Sequence, residues 1–147
     1  ATGAVFRHAE VQATQPLGAL QLVGTLDRID AVSSTGAPTA LVIDYKTEND
    51  TVTRKRISAG AEDTQLAFYA ALLSHDTLRA AYVNVGERGE TQMHEQEDVV
   101  HLRDLLVEGI QHDMARIAAG APLPALGEGA VCDYCAARGL CRKDFWK

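Results

Sequence analysis

Aromatic side chains are scarce in this sequence, at 5% of 147 residues. That argues against a base-stacking surface for single strands as the main function. A surplus of cations is also missing. Lys and Arg number 14 against 20 Asp and Glu, for a net charge of −6, whereas most nucleic-acid-binding domains are basic. That objection is partial, because a bound metal adds positive charge outside the formal count and a partner domain can carry a basic track. There is no run of about 18 apolar residues and no signal-peptide pattern, which reads as no membrane segment and no export signal. An initiator Met is lacking too. The opening Ala1-Thr2-Gly3 reads as the edge of a longer chain. Internal repeats and low-complexity tracts are absent, and so is any cysteine before Cys132. What is present is 46% hydrophobic residues, enough for the core of one domain.

The pattern predicts an α/β fold. A first strand is expected over Val5 to Gln12, a turn at Pro16-Leu17-Gly18, and a long strand from Leu20 to Val32. Strict alternation in the long strand puts Leu20, Leu22, Gly24 and Leu26 on one face and Val23, Thr25, Asp27 and Ile29 on the other. A loop at 33–38 joins it to a strand over Leu41 to Thr47, forming a hairpin. A polar stretch, Glu48 to Arg56, contains the only dense basic run, Arg54-Lys55-Arg56. A helix is expected from about Ser58 to Ser74. Ala80–Val85 and Thr91–Glu95 flank Gly86-Glu87-Arg88-Gly89 as a second hairpin. Glu97 to Ala119 reads as a long amphipathic helix with Val99, Leu102, Leu106, Ile110, Met114 and Ile117 on its apolar stripe and Gly120 as its stop.

Asp44-Tyr45-Lys46 ends the apolar strand Leu41-Val42-Ile43. Residues two apart share a strand face, so Asp44 and Lys46 emerge together. Desolvating such a pair is costly, which points to chemistry; the plain alternative is an ion pair on an edge strand. A hairpin also brings Asp27 near Asp44. Two carboxylates, a Tyr45 carbonyl and waters form the oxygen set Mg²⁺ prefers, and Lys46 can orient an attacking water and neutralise developing charge. Asp30 is expected to pair with Arg28 or cap a turn. Gln65 and Tyr69, four apart, share a helix face with Glu62 and Leu72, leaving Leu66 and Leu73 to the core. The alternative for that pair is the polar edge of an amphipathic helix.

In this order and spacing, Gly24-Thr25-Leu26-Asp27-Arg28-Ile29-Asp30, Ile43-Asp44-Tyr45-Lys46-Thr47 and Gln65-Leu66-x-x-Tyr69 resemble the RecB-like branch of the PD-(D/E)XK nucleases. The resemblance covers residues 5 to 145. It implies a restriction-endonuclease-like mixed central sheet flanked by helices, with Asp27, Asp44 and Lys46 meeting on one face. It implies metal binding by Asp27 and Asp44, a catalytic Lys46, and a Gln65/Tyr69 helix that supports the site and contacts DNA. The activity implied is a Mg²⁺- or Mn²⁺-dependent deoxyribonuclease of exonuclease type, cytoplasmic, acting in DNA repair and recombination. A helicase or helicase-like region in the same chain or in a partner subunit goes with it.

Cys132-x-x-Cys135-x5-Cys141 gathers every cysteine within the tail 127–147. Clustered cysteines in a cytosolic chain suggest metal rather than disulfide; a metal-free trio is the alternative. The spacing resembles the iron–sulfur subset of these nucleases, of AddB type, in which a fourth Cys from upstream completes a [4Fe–4S] cluster. No upstream Cys exists here, and the family's His ligand on an earlier helix has only His8 as a candidate, in a strand. Both gaps imply that residues 1–147 are a C-terminal piece of a longer nuclease, lacking its first helix and, on its own, its cluster. Two other classes stay open: a non-catalytic DNA-binding or scaffolding relic of the fold, and a zinc-binding interaction module built on the tail.

Overall fold

The computed structural model describes residues 3–33, 38–58, 63–73, 75–86, 91–122, 132 and 134–141. Its elements are β1 (Ala4–Leu17), β2 (Leu20–Val32), β3 (Thr39–Lys46), α1 (Asp50–Ser58), α2 (Gln65–Leu73), β4 (Leu78–Val85), β5 (Thr91–Glu95), α3 (Val99–Ala118) and α4 (Arg138–Cys141). The chain divides into two compact units, residues 1–111 and 112–147.

In the first unit the five strands form one sheet in the order β1-β2-β3-β4-β5. β1–β2, β2–β3 and β4–β5 pair antiparallel, and β3–β4 pair parallel. The parallel pair needs a crossover, and α1 and α2 lie in it. α2 covers one face of the sheet. Its residues Leu66, Ala70, Ala71 and Leu72 join Leu22, Leu26, Val42, Leu78, Ala80, Tyr82 and Val99 in the main core. The opposite face carries a second cluster of Val32, Leu41, Ile43, Ala81 and Val83. Gly24 sets how closely α2 approaches. A Cβ there would lie 2.8 Å from Leu72 Cδ1 and 3.3 Å from Phe68 Cε1.

Both expected hairpins form, and the structure corrects three details. The single helix expected over 58–74 is two helices, and residues 59–62 and 74 lie outside the described ones. α1 escaped notice because it has almost no apolar face; only Thr53 is buried. Its start was legible, however. Asn49 Oδ1 accepts the Thr51 amide at 2.9 Å, as an N-cap side chain does, and Asp50 pairs with Arg54 one turn on. Second, Leu72 belongs to the core rather than to the polar face of α2, because this helix is apolar almost all round. Third, alternation in β2 breaks: Leu22, Leu26 and Ile29 all pack on the α2 side. Glu10, at φ 51°, lies between the pairs Ala9↔Arg28 and Val11↔Leu26. The β1–β2 register shifts nearby, between Phe6 and His8, opposite Asp30 and Ile29, as at a bulge. Asp27 lies between Leu26 and this irregular stretch.

α3 covers the expected range, with Val99 buried and Val100 and Val107 against the core. Among described residues, no helix is long and apolar enough to cross a membrane. In the second unit, Gly120 ends α3 at φ 79°, with the Gly120 and Ala121 amides bonded to the Ile117 and Arg116 carbonyls, a glycine C-terminal cap. Met114 and Ile117, at the end of the apolar stripe, are exposed.

Candidate active site

β3 alternates Val42, Asp44 and Lys46 toward α2, and Ile43 and Tyr45 away from it. Asp44 is 3% exposed. Lys46 Nζ lies 2.7 Å from its Oδ2. Gln65, the first residue of α2, bridges the pair. Its Oε1 accepts from Lys46 Nζ at 2.6 Å, and its Nε2 donates to Asp44 Oδ1 at 2.7 Å and to the Tyr69 hydroxyl oxygen at 3.2 Å. Only this orientation of the amide meets an ammonium with an oxygen and a carboxylate with an N–H. Lys46 Nζ also stands 4.8 Å from the centroid of the Tyr82 ring, a cation–π distance.

Asp27 joins from β2. It lies one step beyond the last β2–β3 pair, Arg28↔Ile43, and its Oδ2 accepts the Tyr45 amide at 3.1 Å. Burial pushes the Asp44 carboxyl above the usual carboxylate range; Lys46 opposes this, and the Asp27 charge adds to it. Burial likewise raises the Tyr69 phenol, and the Asp44 and Asp27 charges reinforce the rise. Thus the structure brings Asp27, Asp44, Lys46, Gln65 and Tyr69 together. Tyr69 plays two parts, since its ring packs against the core while its hydroxyl meets Gln65.

These residues fit a hard divalent cation. Asp44 is buried, and each of its oxygens has one close partner, Gln65 Nε2 on Oδ1 and the Lys46 ammonium 2.7 Å from Oδ2. A carboxylate oxygen has two acceptor sites, so Asp44 keeps lone pairs that a cation can take. Two carboxylates and the Tyr45 carbonyl are oxygen donors suited to Mg²⁺ or Mn²⁺. Among the described residues no group of three or more His, Cys, Asp or Glu side chains gathers for a metal. A site here would therefore draw its other ligands from backbone, water and substrate, as Mg²⁺ commonly does.

Behind the site lies a network absent from the sequence-based expectation. The Tyr82 hydroxyl donates to Asp63 Oδ1 at 2.7 Å. Asp63 Oδ1 also accepts the Gln65 amide at 3.4 Å, at the start of α2. Arg56 binds Glu48 through Nε and Nη2, at 2.6 and 2.8 Å, and Asp63 Oδ2 through Nη1 at 2.7 Å. The Asn84 amide donates to the Glu48 carbonyl and to Thr53 Oγ1. Asp63 had a local signal, an Asp two residues ahead of a helix. Tyr82 had none, because only sheet register places it beside Asp44.

On the opposite face, Arg28 forks onto Asp30 at 2.8 and 2.9 Å, the pairing expected. It also donates to the Tyr45 hydroxyl at 3.1 Å and lies 5.4 Å from the Phe6 ring centroid. His8 is exposed on β1, paired with Ile29. In the second unit, Cys132 and Cys141 are half-buried and Cys135 is exposed. The Cys135 amide reaches the Cys132 carbonyl at 3.4 Å, and Cys141 closes α4 on Ala137. Glu62, Phe145 and Trp146 lie outside the described residues.

No curated protein matches the chain. The sequence does match the PD-(D/E)XK nuclease superfamily over residues 1–142. The mixed five-stranded sheet with α2 on one face agrees with the restriction-endonuclease-like fold of that superfamily. With the match spanning nearly all of the sequence, this chain belongs to the PD-(D/E)XK nuclease superfamily.

Proposed function

We propose that this chain is a divalent-metal-dependent deoxyribonuclease domain whose centre is Asp27, Asp44 and Lys46, supported by Gln65 and Tyr69. The observation that carries the reading is the buried Asp44 carboxylate paired with Lys46 at 2.7 Å, with Gln65 bonded to both and Asp27 alongside. Asp44, Asp27 and the Tyr45 carbonyl would hold the cation. When bound, Mg²⁺ or Mn²⁺ supplies polarisation of the phosphate and acidification of water. Hydrolysis forms a bond from water oxygen to phosphorus and breaks one phosphodiester P–O bond, leaving a phosphomonoester and a hydroxyl. An ammonium has three N–H donors. Lys46 turns one to Gln65 and one side to Asp44, which leaves donor capacity for a phosphate oxygen or the attacking water. Gln65 bonds to both members of the Lys46–Asp44 pair and fixes their relative position.

The finer reading is a RecB-like exonuclease of DNA repair and recombination, working with a helicase-like region in the same chain or in a partner subunit. It takes 127–147 as a cysteine-bearing tail of iron–sulfur, AddB type. Three cysteines are one thiolate short of the four that a [4Fe–4S] cluster takes. Residues 1–147 alone do not complete that site.

Cleavage of a 5′-labelled and a 3′-labelled oligonucleotide tests this reading. Cleavage with Mg²⁺ or Mn²⁺, silence in EDTA, and loss in Lys46→Ala are expected. Metal-independent cleavage, or wild-type rates in Lys46→Ala, would refute it.

A further inference from the structure

Arg54-Lys55-Arg56 reads in the sequence as a basic run, but tertiary structure divides it. Arg54 pairs with Asp50, Arg56 with Glu48 and Asp63, and Lys55 has no ion partner among the described residues. Arg56 is the residue of interest, because its partners lead to the site by two routes. Asp63 Oδ2 is bound by Arg56, while its Oδ1 receives both the Tyr82 hydroxyl and the Gln65 backbone amide. One route therefore runs through the start of α2 to the Gln65 side chain, between Asp44 and Lys46. The other runs through Tyr82, whose ring lies beside Lys46 Nζ. Glu48 anchors the far side of Arg56 two residues after Lys46. Arg56 thus ties the end of β3 to the beginning of α2, and the reacting groups stand on those two segments.

A basic residue near a nuclease site invites a simpler role, a phosphate contact. The charges argue against it. Arg56 is shared between two carboxylates, both held below the ordinary carboxylate range: Glu48 chiefly by its bonds to Arg56, and Asp63, against its burial, by Arg56 and Tyr82. The trio carries a net negative charge, which repels a phosphate. The fork also fits arginine rather than lysine, since a planar guanidinium can bind two carboxylates at fixed angles.

We propose that Arg56 is a positioning residue for the Asp44–Lys46 centre, acting through Asp63 and Tyr82 to fix the Gln65 amide between the reacting carboxylate and ammonium. The role rests on the nuclease reading for its kinetic consequence but not for its structural one. Small misplacements of catalytic groups cost up to about 100-fold in rate.

The test uses the 147-residue chain and Arg56→Gln, Arg56→Lys and Arg79→Gln. The last breaks a surface pair with Glu95, between β4 and β5, and serves as control. Well below every melting midpoint, Arg56→Gln should lower kcat for Mg²⁺-dependent oligonucleotide cleavage about 10- to 100-fold with KM within about twofold. Arg56→Lys should fall between, and Arg79→Gln should match wild type. Adding Gln65→Ala to Arg56→Gln should cost little beyond Gln65→Ala alone, because the two act in one chain of contacts. Unchanged kcat, full additivity, or a raised KM with kcat kept would overturn the proposal, the last by making Arg56 a substrate contact. An NMR readout of the Gln65 side-chain amide stands apart from activity. Its resonances should move in Arg56→Gln and stay in Arg79→Gln; if they stay in both, the proposal fails. Absence of cleavage by the wild type with either metal would sink the nuclease reading, and the NMR result would still decide the positioning role.

Discussion

The β2–β3 ribbon carries an acid–base pair on each face, and the two are built differently. On one face Arg28 grips Asp30 with two hydrogen bonds and adds a third to Tyr45. Asp30 is 3% exposed and both its oxygens are used. On the other face Asp44 is equally buried, yet it is held by separate single contacts, Gln65 on Oδ1 and the Lys46 ammonium on Oδ2. A bidentate pair with every lone pair engaged is a structural fastening. A buried carboxylate held by single contacts keeps acceptor capacity, and burial, with the Asp27 charge adding, raises the carboxyl of Asp44 against the pull of Lys46. Exposure and charge alone do not separate these faces; hydrogen-bond completeness does.

The largest expected effect tests that contrast directly. Lys46→Ala and Asp44→Asn should each lower metal-dependent cleavage about 100- to 1,000-fold, the scale seen when one preorganised charge-stabilising group is removed. Asp44→Asn should melt no lower than wild type at neutral pH without metal, because burial already disfavours its charged form. A clear fall in its melting temperature would mean that Asp44, like Asp30, is a fastening.

Asp30→Asn should show the reverse. It should cost about 1–3 kcal/mol of stability, the range for losing a hydrogen bond to a charged group, while cleavage stays within about threefold of wild type. Calorimetry and initial rates on one preparation separate the two outcomes. Loss of activity without loss of stability would place the Arg28 face in the reaction.

Tyr69→Phe should have a smaller effect. The ring packing on the core stays and the contact with Gln65 goes. We expect a loss of about 3- to 10-fold in kcat, roughly the worth of one hydrogen bond, with an unchanged melt. Wild-type kcat would confine Tyr69 to packing.

The smallest effect concerns acid stability. Glu48 and Asp63 sit below the usual carboxylate range when folded. Such groups stabilise the fold above their unfolded values, about pH 4, and that stability disappears as pH falls through the lower folded values. Melting temperature should therefore decline below about pH 4 in wild type and decline less steeply in Arg56→Gln. Identical profiles would mean that the Arg56 pairs are screened by solvent.

Much of the site was legible in order along the chain. Asp44, Lys46, Gln65 and Tyr69 were recoverable from strand alternation, helix spacing and motif resemblance, since these depend on neighbours one to four residues away. Asp27 was identified on the same basis, but strict alternation set it opposite Leu26. Glu10, on another strand, holds the left-handed geometry that accompanies the break. α1 was read as a polar stretch because its surroundings, rather than an apolar stripe, keep it in place.

The sequence by itself determined the hairpins, the apolar strands, the end of α3 at Gly120 and most of the side chains that gather at the candidate site, because local periodicity and backbone preference act over a few residues. Only the tertiary structure decided that Tyr82 lies against Lys46, that Arg56 is bound by two carboxylates rather than open to phosphate, and that Gln65 bridges Asp44 and Lys46. Each of those depends on partners 7 to 36 residues away in sequence. Burial and charge compensation are fixed only when the sheet and α2 close over them.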